Sequence, residues 1–211
     1  MKTLFCTLFI LVFSTAMRTP DDASLVVLTS PTNTSSSLLR GGPGAFLFDR
    51  GTNTEGDAQL HSGVDIVANQ SSMDKETYKV MATSDGTVAY SRVNGGAALG
   101  YGYTVIIDHG NDHYTLYAHL AIQASQGLVK VGDQVSKGQT IGYMADLANG
   151  EKSSGNVLAS VVQPFDKIQL HIEVFNAPSG RSSTGAIQPI KNGCTLLDPT
   201  PALLSLGYSS F

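Results

Sequence analysis

The chain has 211 residues, enough for one domain with a sizeable core. Only 14% of the residues are charged and the formal net charge is −4. That balance argues against nucleic acid or an anionic membrane surface as the main partner, since neither attracts an anion.

The N-terminus has the pattern of a secretory signal. Lys2 supplies a positive start, Leu4 to Phe13 is almost unbroken apolar sequence, and Ser14-Thr15-Ala16 offers small residues for cleavage before Met17. Residues 1–16 are therefore expected to be a signal peptide, too short in its apolar run to span a bilayer. The mature chain is expected to be secreted, extracellular or periplasmic, with no stable membrane insertion and as a monomer. Cleavage removes Cys6 and leaves Cys194 alone, so no internal disulfide is expected. Asn33-Thr34-Ser35 and Asn69-Gln70-Ser71 fit the glycosylation sequon.

Residues 17–44 are rich in Ser, Thr, Pro and Asp, with one apolar patch from Leu25 to Leu28. They predict a linker or a short N-terminal extension, ending at Gly41-Gly42-Pro43-Gly44. A domain is expected over 45–211. Its pattern is mostly β. Lys79 to Ala82 leads to a turn at Ser84-Asp85-Gly86 and a second strand from Thr87 to Tyr90. Tyr103 to Asp108 and the alternating Tyr114 to Leu120 flank a turn at His109 to Asp112. Residues 120–127 predict one short helix closed by Gly127. Val129 to Val135 and Ser136 to Gly142 are two Gly-punctuated blocks, residues 145–164 a long rim loop, and Leu197 to Pro201 the stop of the last element. No internal repeat is present. The expected class is all-β, an antiparallel β-sandwich or barrel-sandwich with a narrow groove and little helix.

His61-Ser62-Gly63-Val64-Asp65 carries the chemistry. On an extended strand, alternate side chains share a face. His61, Gly63 and Asp65 then lie together, with Gly63 leaving the space between the other two open, while Ser62, Val64 and Ile66 point away. An imidazole beside a carboxylate is half of a zinc site, and His171 in Gln169-Leu170-His171 is the candidate third ligand. Two His and one carboxylate leave the fourth position of a tetrahedral ion open, as hydrolysis requires. Imidazole and carboxylate suit zinc, with iron or manganese open by ligand type. No H-E-x-x-H helix is present. The five His are His61, His109, His113, His119 and His171. His119 follows Tyr117 by two and is expected on its face. His109 is expected to be structural in its turn, and His113 to be solvated in a polar loop.

These segments together resemble the lysostaphin/LytM-type zinc endopeptidases, which cleave peptidoglycan peptides. The resemblance covers about residues 45–205 and rests on the His61 to Asp65 motif, Ala82 to Ala89 and Gly102 to Gly110. It continues through Tyr117-Ala118-His119-Leu120, Val131 to Gly142, Leu170-His171-Ile172-Glu173-Val174 and Asp198-Pro199. It implies one Zn2+ held by His61, Asp65 and His171, and a catalytic His119 beside it. It implies a peptidoglycan peptide or other extracellular peptide as substrate.

The family's His-x-His is replaced by Gln169-Leu170-His171, so Gln169 stands where a catalytic His is expected. A positioned base contributes about 10²–10⁴-fold, and an amide cannot accept a proton near neutral pH. Gln169 keeps a hydrogen-bond donor for an oxyanion or a water. The stretch from Leu147 to Lys167 is also longer than the family's usual short loop. Two functions compete. One is a secreted zinc endopeptidase using His119. The other is a degenerate zinc-binding module acting by binding, as a regulator of cell-wall hydrolases or a chemotaxin-like ligand. The β pattern of Asp85 to Val88 and Val131 to Val135 also occurs in biotinyl and lipoyl carriers, but the Met-Lys-Met turn they need is missing.

Overall fold

The computed structural model describes residues 22–52, 58–68, 78–94, 101–146, 168–177 and 194–211. The signal segment with Cys6, the Asn69 sequon and residues 147–167 lie outside them. Among the described residues fourteen strands follow in order. They are β1 (Ser37–Leu39), β2 (Asp49–Thr52), β3 (Ala58–Leu60), β4 (Val64–Ala68), β5 (Lys79–Met81), β6 (Gly86–Asn94) and β7 (Gly102–Asp108). Then come β8 (His113–Leu120), β9 (Gln134–Val135), β10 (Thr140–Tyr143), β11 (Ala145–Asp146), β12 (Ile168–Asn176), β13 (Thr195–Leu197) and β14 (Ser209–Ser210). The two described α-helices, Ile122–Ser125 and Thr200–Ser205, are short. The chain is all-β with little helix.

Ten strands form one sheet in the order β14-β1-β4-β12-β8-β7-β6-β9, with β11 and β13 also on β12. Its strands pair antiparallel except β1 with β14. The two-stranded sheet β5–β10 packs over one face. Val80 and Ile141 from it share a core with Ile66, Val105, Ile107, Tyr117, Leu170 and Ile172 of the main sheet. The opposite face carries a second apolar cluster of Tyr90, Ile106, Tyr114, Leu116, Ala118 and Phe175. All eight residues of β8 are therefore buried, where the sequence predicts alternation. A sheet covered on both faces makes its central strands continuously buried rather than half wet.

The segment from Asp22 to Gly44 packs onto the body: Ala23, Val26 and Val27 join the core, and the short strand β1 pairs with β4 and β14. Two further differences have local causes. Asp198 does not end the last element. Its carboxylate accepts the Thr200 N–H at 2.8 Å and Pro201 sits in the first turn of the helix that follows, where its missing N–H costs nothing. Ala145 opens a strand against Gln169 instead of the rim loop. The predicted short helix does form, with Gly127 at φ +87 just beyond it.

Candidate metal centre

Strand register brings the site together. His171 of β12 stands directly opposite Asp65 of β4 on one side and Ala118 of β8 on the other. Directly opposed residues share a face, so the Asp65 carboxylate and the His171 ring meet. His61 reaches them from the segment before β4, which is pinned by His61 N–H donating to Phe48 C=O at 3.0 Å and Leu47 N–H to His61 C=O at 2.8 Å.

His61 Nε2 is 2.9 Å from His171 Nδ1 and 3.2 Å from Asp65 Oδ1, and His171 Nδ1 is 2.9 Å from Asp65 Oδ1. All three residues are buried. Proton accounting defines what this triangle is. His61 Nδ1 is 2.9 Å from the Ala45 carbonyl, which only accepts, so this nitrogen carries its hydrogen. His171 Nε2 likewise donates to Glu173 Oε1 at 3.0 Å. In the neutral tautomers, three lone pairs are left facing one another, and such a cluster needs a cation. His61, Asp65 and His171 thus form a group able to hold a metal ion. Two nitrogens and a carboxylate oxygen suit zinc.

Without a metal the proton takes that place. Burial works against a charged His171, but hydrogen bonds to Asp65 and Glu173 outweigh it and push its pKa up to about 9. Burial would raise Asp65 too, yet the bonds from His171 and His61 hold its carboxyl well below the usual range. Glu173, opposed by burial and lowered by His171, falls to about 2. Arg50, on β2, lies 3.5 Å from Asp65 Oδ2 and donates to the Pro43 carbonyl at 2.7 Å.

His119 reaches this face by an irregularity. Tyr103 and Val105 of β7 oppose Leu120 and Tyr117 of β8, so β8 carries one extra residue there. His119 sits in that bulge at φ +62, a conformation a non-glycine side chain adopts at a cost. Tyr117 stays in the opposite core with its hydroxyl on Thr83, while the His119 ring lies 5.8 Å from that of His171. The expectation that Tyr117 and His119 share a face is therefore wrong, because the bulge breaks the alternation. His119 is buried and its Nδ1 has no hydrogen-bond partner among the described residues. Burial, with the charge of His171 adding to it, pushes its pKa down to about 3 and keeps the ring neutral.

Gln169 lies two residues before His171 on the same strand face, buried, with Oε1 unpartnered among the described residues. The other two histidines are elsewhere. His109 is structural, bound to the Asp85 carbonyl at 2.7 Å and Thr115 Oγ1 at 2.9 Å. His113, expected in solvent, is buried at the start of β8 with Nδ1 on the Asn111 carbonyl.

Two expectations about the first motif also change. Ser62 does not point away: its hydroxyl donates to Glu173, because the regular strand begins only at Val64. Gly63 does not hold open a space for a ligand. A Cβ there would stand 2.2 Å from the Ile172 carbonyl oxygen, so the glycine allows β12 to approach. Glu173, Ser62, Tyr101 and Arg50 were not foreseen as parts of the site. Glu173 could have been found by its place two residues after His171 on one strand face. Ser62 lies within the first motif and was turned away by the period-two rule, while Arg50 and Tyr101 come from segments with no common spacing. Leu47, Phe48 and Leu60 are exposed on the segments that flank His61.

The model of peptidase family M23 matches residues 59–176. The cell division protein DipM of Caulobacter vibrioides is 25% identical over 176 residues, covering 81% of this chain and 24% of that protein. The DD-carboxypeptidase/endopeptidase Mpg of Neisseria meningitidis serogroup B is 37% identical over 78 residues, covering 36% of this chain and 16% of that protein. The alignments thus span a quarter or less of the length of these relatives. Among solved structures, the antimicrobial peptidase lysostaphin from Staphylococcus simulans is 25% identical with a TM-score of 0.41, covering 78% of this chain and 50% of that one.

Proposed function

The chain belongs to peptidase family M23, and we propose that it is a secreted zinc endopeptidase that hydrolyses peptide bonds in peptidoglycan cross-bridges or stems. The observation that carries this reading is the triangle of lone pairs at His61, Asp65 and His171 with a neutral His119 beside it, whose Nδ1 has no partner among the described residues. Family membership and the endopeptidase activity in the name of the Neisseria relative agree with it.

In this reading His61 Nε2, Asp65 Oδ1 and His171 Nδ1 hold one Zn2+. When bound, zinc supplies Lewis acidity toward a peptide carbonyl and lowers the pKa of a water to about 7. His119, neutral by burial, offers a ring nitrogen to take or return a proton at the scissile peptide. Gln169 presents an amide donor on the same face and orients water or the developing oxyanion, without accepting a proton. Arg50 balances the charge of Asp65 from the rim. The exposed Leu47, Phe48 and Leu60 give a peptide an apolar edge to lie on. Residues 1–16 direct export, and among the described residues no helix is long and apolar enough to cross a membrane.

The second reading, a zinc-binding module that acts by binding alone, is favoured by Gln169, whose amide replaces a base at the site. One experiment separates the two. Bound zinc and cleavage of peptidoglycan or oligoglycine are measured for the wild type, His61→Ala, His119→Ala and Gln169→His. Zinc-dependent cleavage lost in both alanine variants supports the enzyme. Zinc bound without cleavage, and cleavage gained only in Gln169→His, supports the binding module. A wild type that binds no zinc overturns both.

A further inference from the structure

We propose that Tyr101 is a positioning residue that ties the metal-holding half of the site to His119, with Glu173 as its partner. The inference rests on the zinc reading above. Three donors converge on one oxygen of Glu173. They are the Tyr101 hydroxyl at 2.5 Å, the Ser62 hydroxyl, and His171 Nε2 at 3.0 Å. The Tyr101 and Ser62 oxygens are themselves 3.2 Å apart. The Tyr101 ring also meets His171 edge-on, with centroids 5.6 Å apart.

This arrangement leaves Glu173 little freedom. Its oxygen is held from two sides and accepts the Nε2 hydrogen of His171, which turns Nδ1 toward His61 and Asp65. A carboxylate that holds the far nitrogen of a ligating imidazole fixes both its tautomer and its orientation. Glu173 lies two residues along β12 from His171, so on one strand face it cannot move without moving the ring.

The backbone of the same residue does the second job. The Tyr101 carbonyl accepts the His119 N–H at 2.9 Å. That bond falls in the bulge of β8, where the ladder is interrupted and His119 holds a left-handed φ. A bulged residue is held by whatever hydrogen bonds remain to it. Tyr101 therefore touches His171's anchor with its side chain and His119's peptide with its main chain. A shift of one is passed to the other through a single residue.

Tyr101→Phe removes only the hydroxyl. It is expected to weaken zinc binding by about tenfold, the effect seen when such an outer partner of a metal-bound His is lost. Ser62→Ala is expected to act in the same direction. Zinc affinity is read by chelator competition, and the environment of the metal by the absorption bands of the cobalt-substituted protein. Amide exchange at His119 is read by NMR and should speed up in Tyr101→Phe. A role in general stability alone would lower the melting temperature and leave zinc affinity and the cobalt bands in place.

Zinc affinity within twofold of wild type in Tyr101→Phe overturns the proposal. Weakened zinc with unchanged exchange at His119 overturns the link between the two halves. The zinc reading fails separately, by a wild type that binds no zinc. In that case a His171 Nε2–H protected in wild type and exposed in Tyr101→Phe still shows the Glu173 anchor at work.

Discussion

His61 Nε2 and His171 Nδ1 stand 2.9 Å apart although 110 residues separate them in the chain. Each holds its other nitrogen to a protein oxygen, so what they share with Asp65 is a place for a cation. Zinc at about a hundredfold excess over its dissociation constant should stabilise the fold by about 2.7 kcal/mol, or about 5–10 °C in melting temperature for a domain of this size. Calorimetry with and without a chelator checks this. The gain should vanish in His171→Ala.

The metal-stripped protein should be most stable near pH 6.5. His171 has its pKa raised to about 9 by Asp65 and Glu173 against the cost of burial. Its contribution is complete below the unfolded value of about 6.5 and is lost as pH rises to 9. His119 has its pKa lowered to about 3, by burial first. Below about 6.5 the unfolded chain takes up that proton and the folded one does not, so stability falls as pH drops. Melting temperature against pH should therefore peak between the two arms. Zinc removes the alkaline arm, because it replaces the proton on His171.

His119→Gly should be more stable than His119→Ala by about 1 kcal/mol, since only glycine holds φ +62 without strain. Both should lose cleavage activity. Urea unfolding of the two variants measures the difference, and equal stability would show that the bulge relaxes when the ring is gone.

Gly63→Ala should cost about 1–3 kcal/mol, because the new Cβ meets the Ile172 carbonyl at 2.2 Å and backbone must give way. Ile172 lies between His171 and Glu173, so zinc affinity should fall with stability. A variant that unfolds at the same urea concentration as wild type would contradict the close approach of the two strands.

The fold class and the grouping of His61 with Asp65 were legible because both depend on short-range order, while His171, 110 residues beyond His61, was singled out by its strand context. His61 and Asp65 are four residues apart, and His171 sits in a strand with a clear apolar pattern. What stayed hidden depends on departures from ideal geometry. The period-two rule placed Tyr117 with His119, and a single inserted residue in β8 sends them to opposite faces. The same rule turned Ser62 away from the site, and the late start of β4 turns it back toward Glu173. His113 looked wet because its neighbours are polar, but the sheet is covered on both faces there. Arg50 and Tyr101 come from segments whose sequence has no periodic tie to the motif.

The sheet order has a consequence for how the protein folds. Leu38 of β1 pairs with Ser209 of β14, Asp65 with His171, and the Thr32 N–H with the Tyr208 hydroxyl. Each closes a loop of a hundred residues or more, and loop closure must be met before such contacts reward it. Chains dominated by distant pairings fold slowly, in milliseconds to seconds. The local hairpins β6–β7 and β7–β8 can form early, but Asp65 on β4, His61 just before it and His171 on β12 meet only after the chain between them has been laid down. If zinc binds as proposed, its capture is a late event on a finished sheet, and a refolding chain given zinc from the start should gain no speed in its first steps.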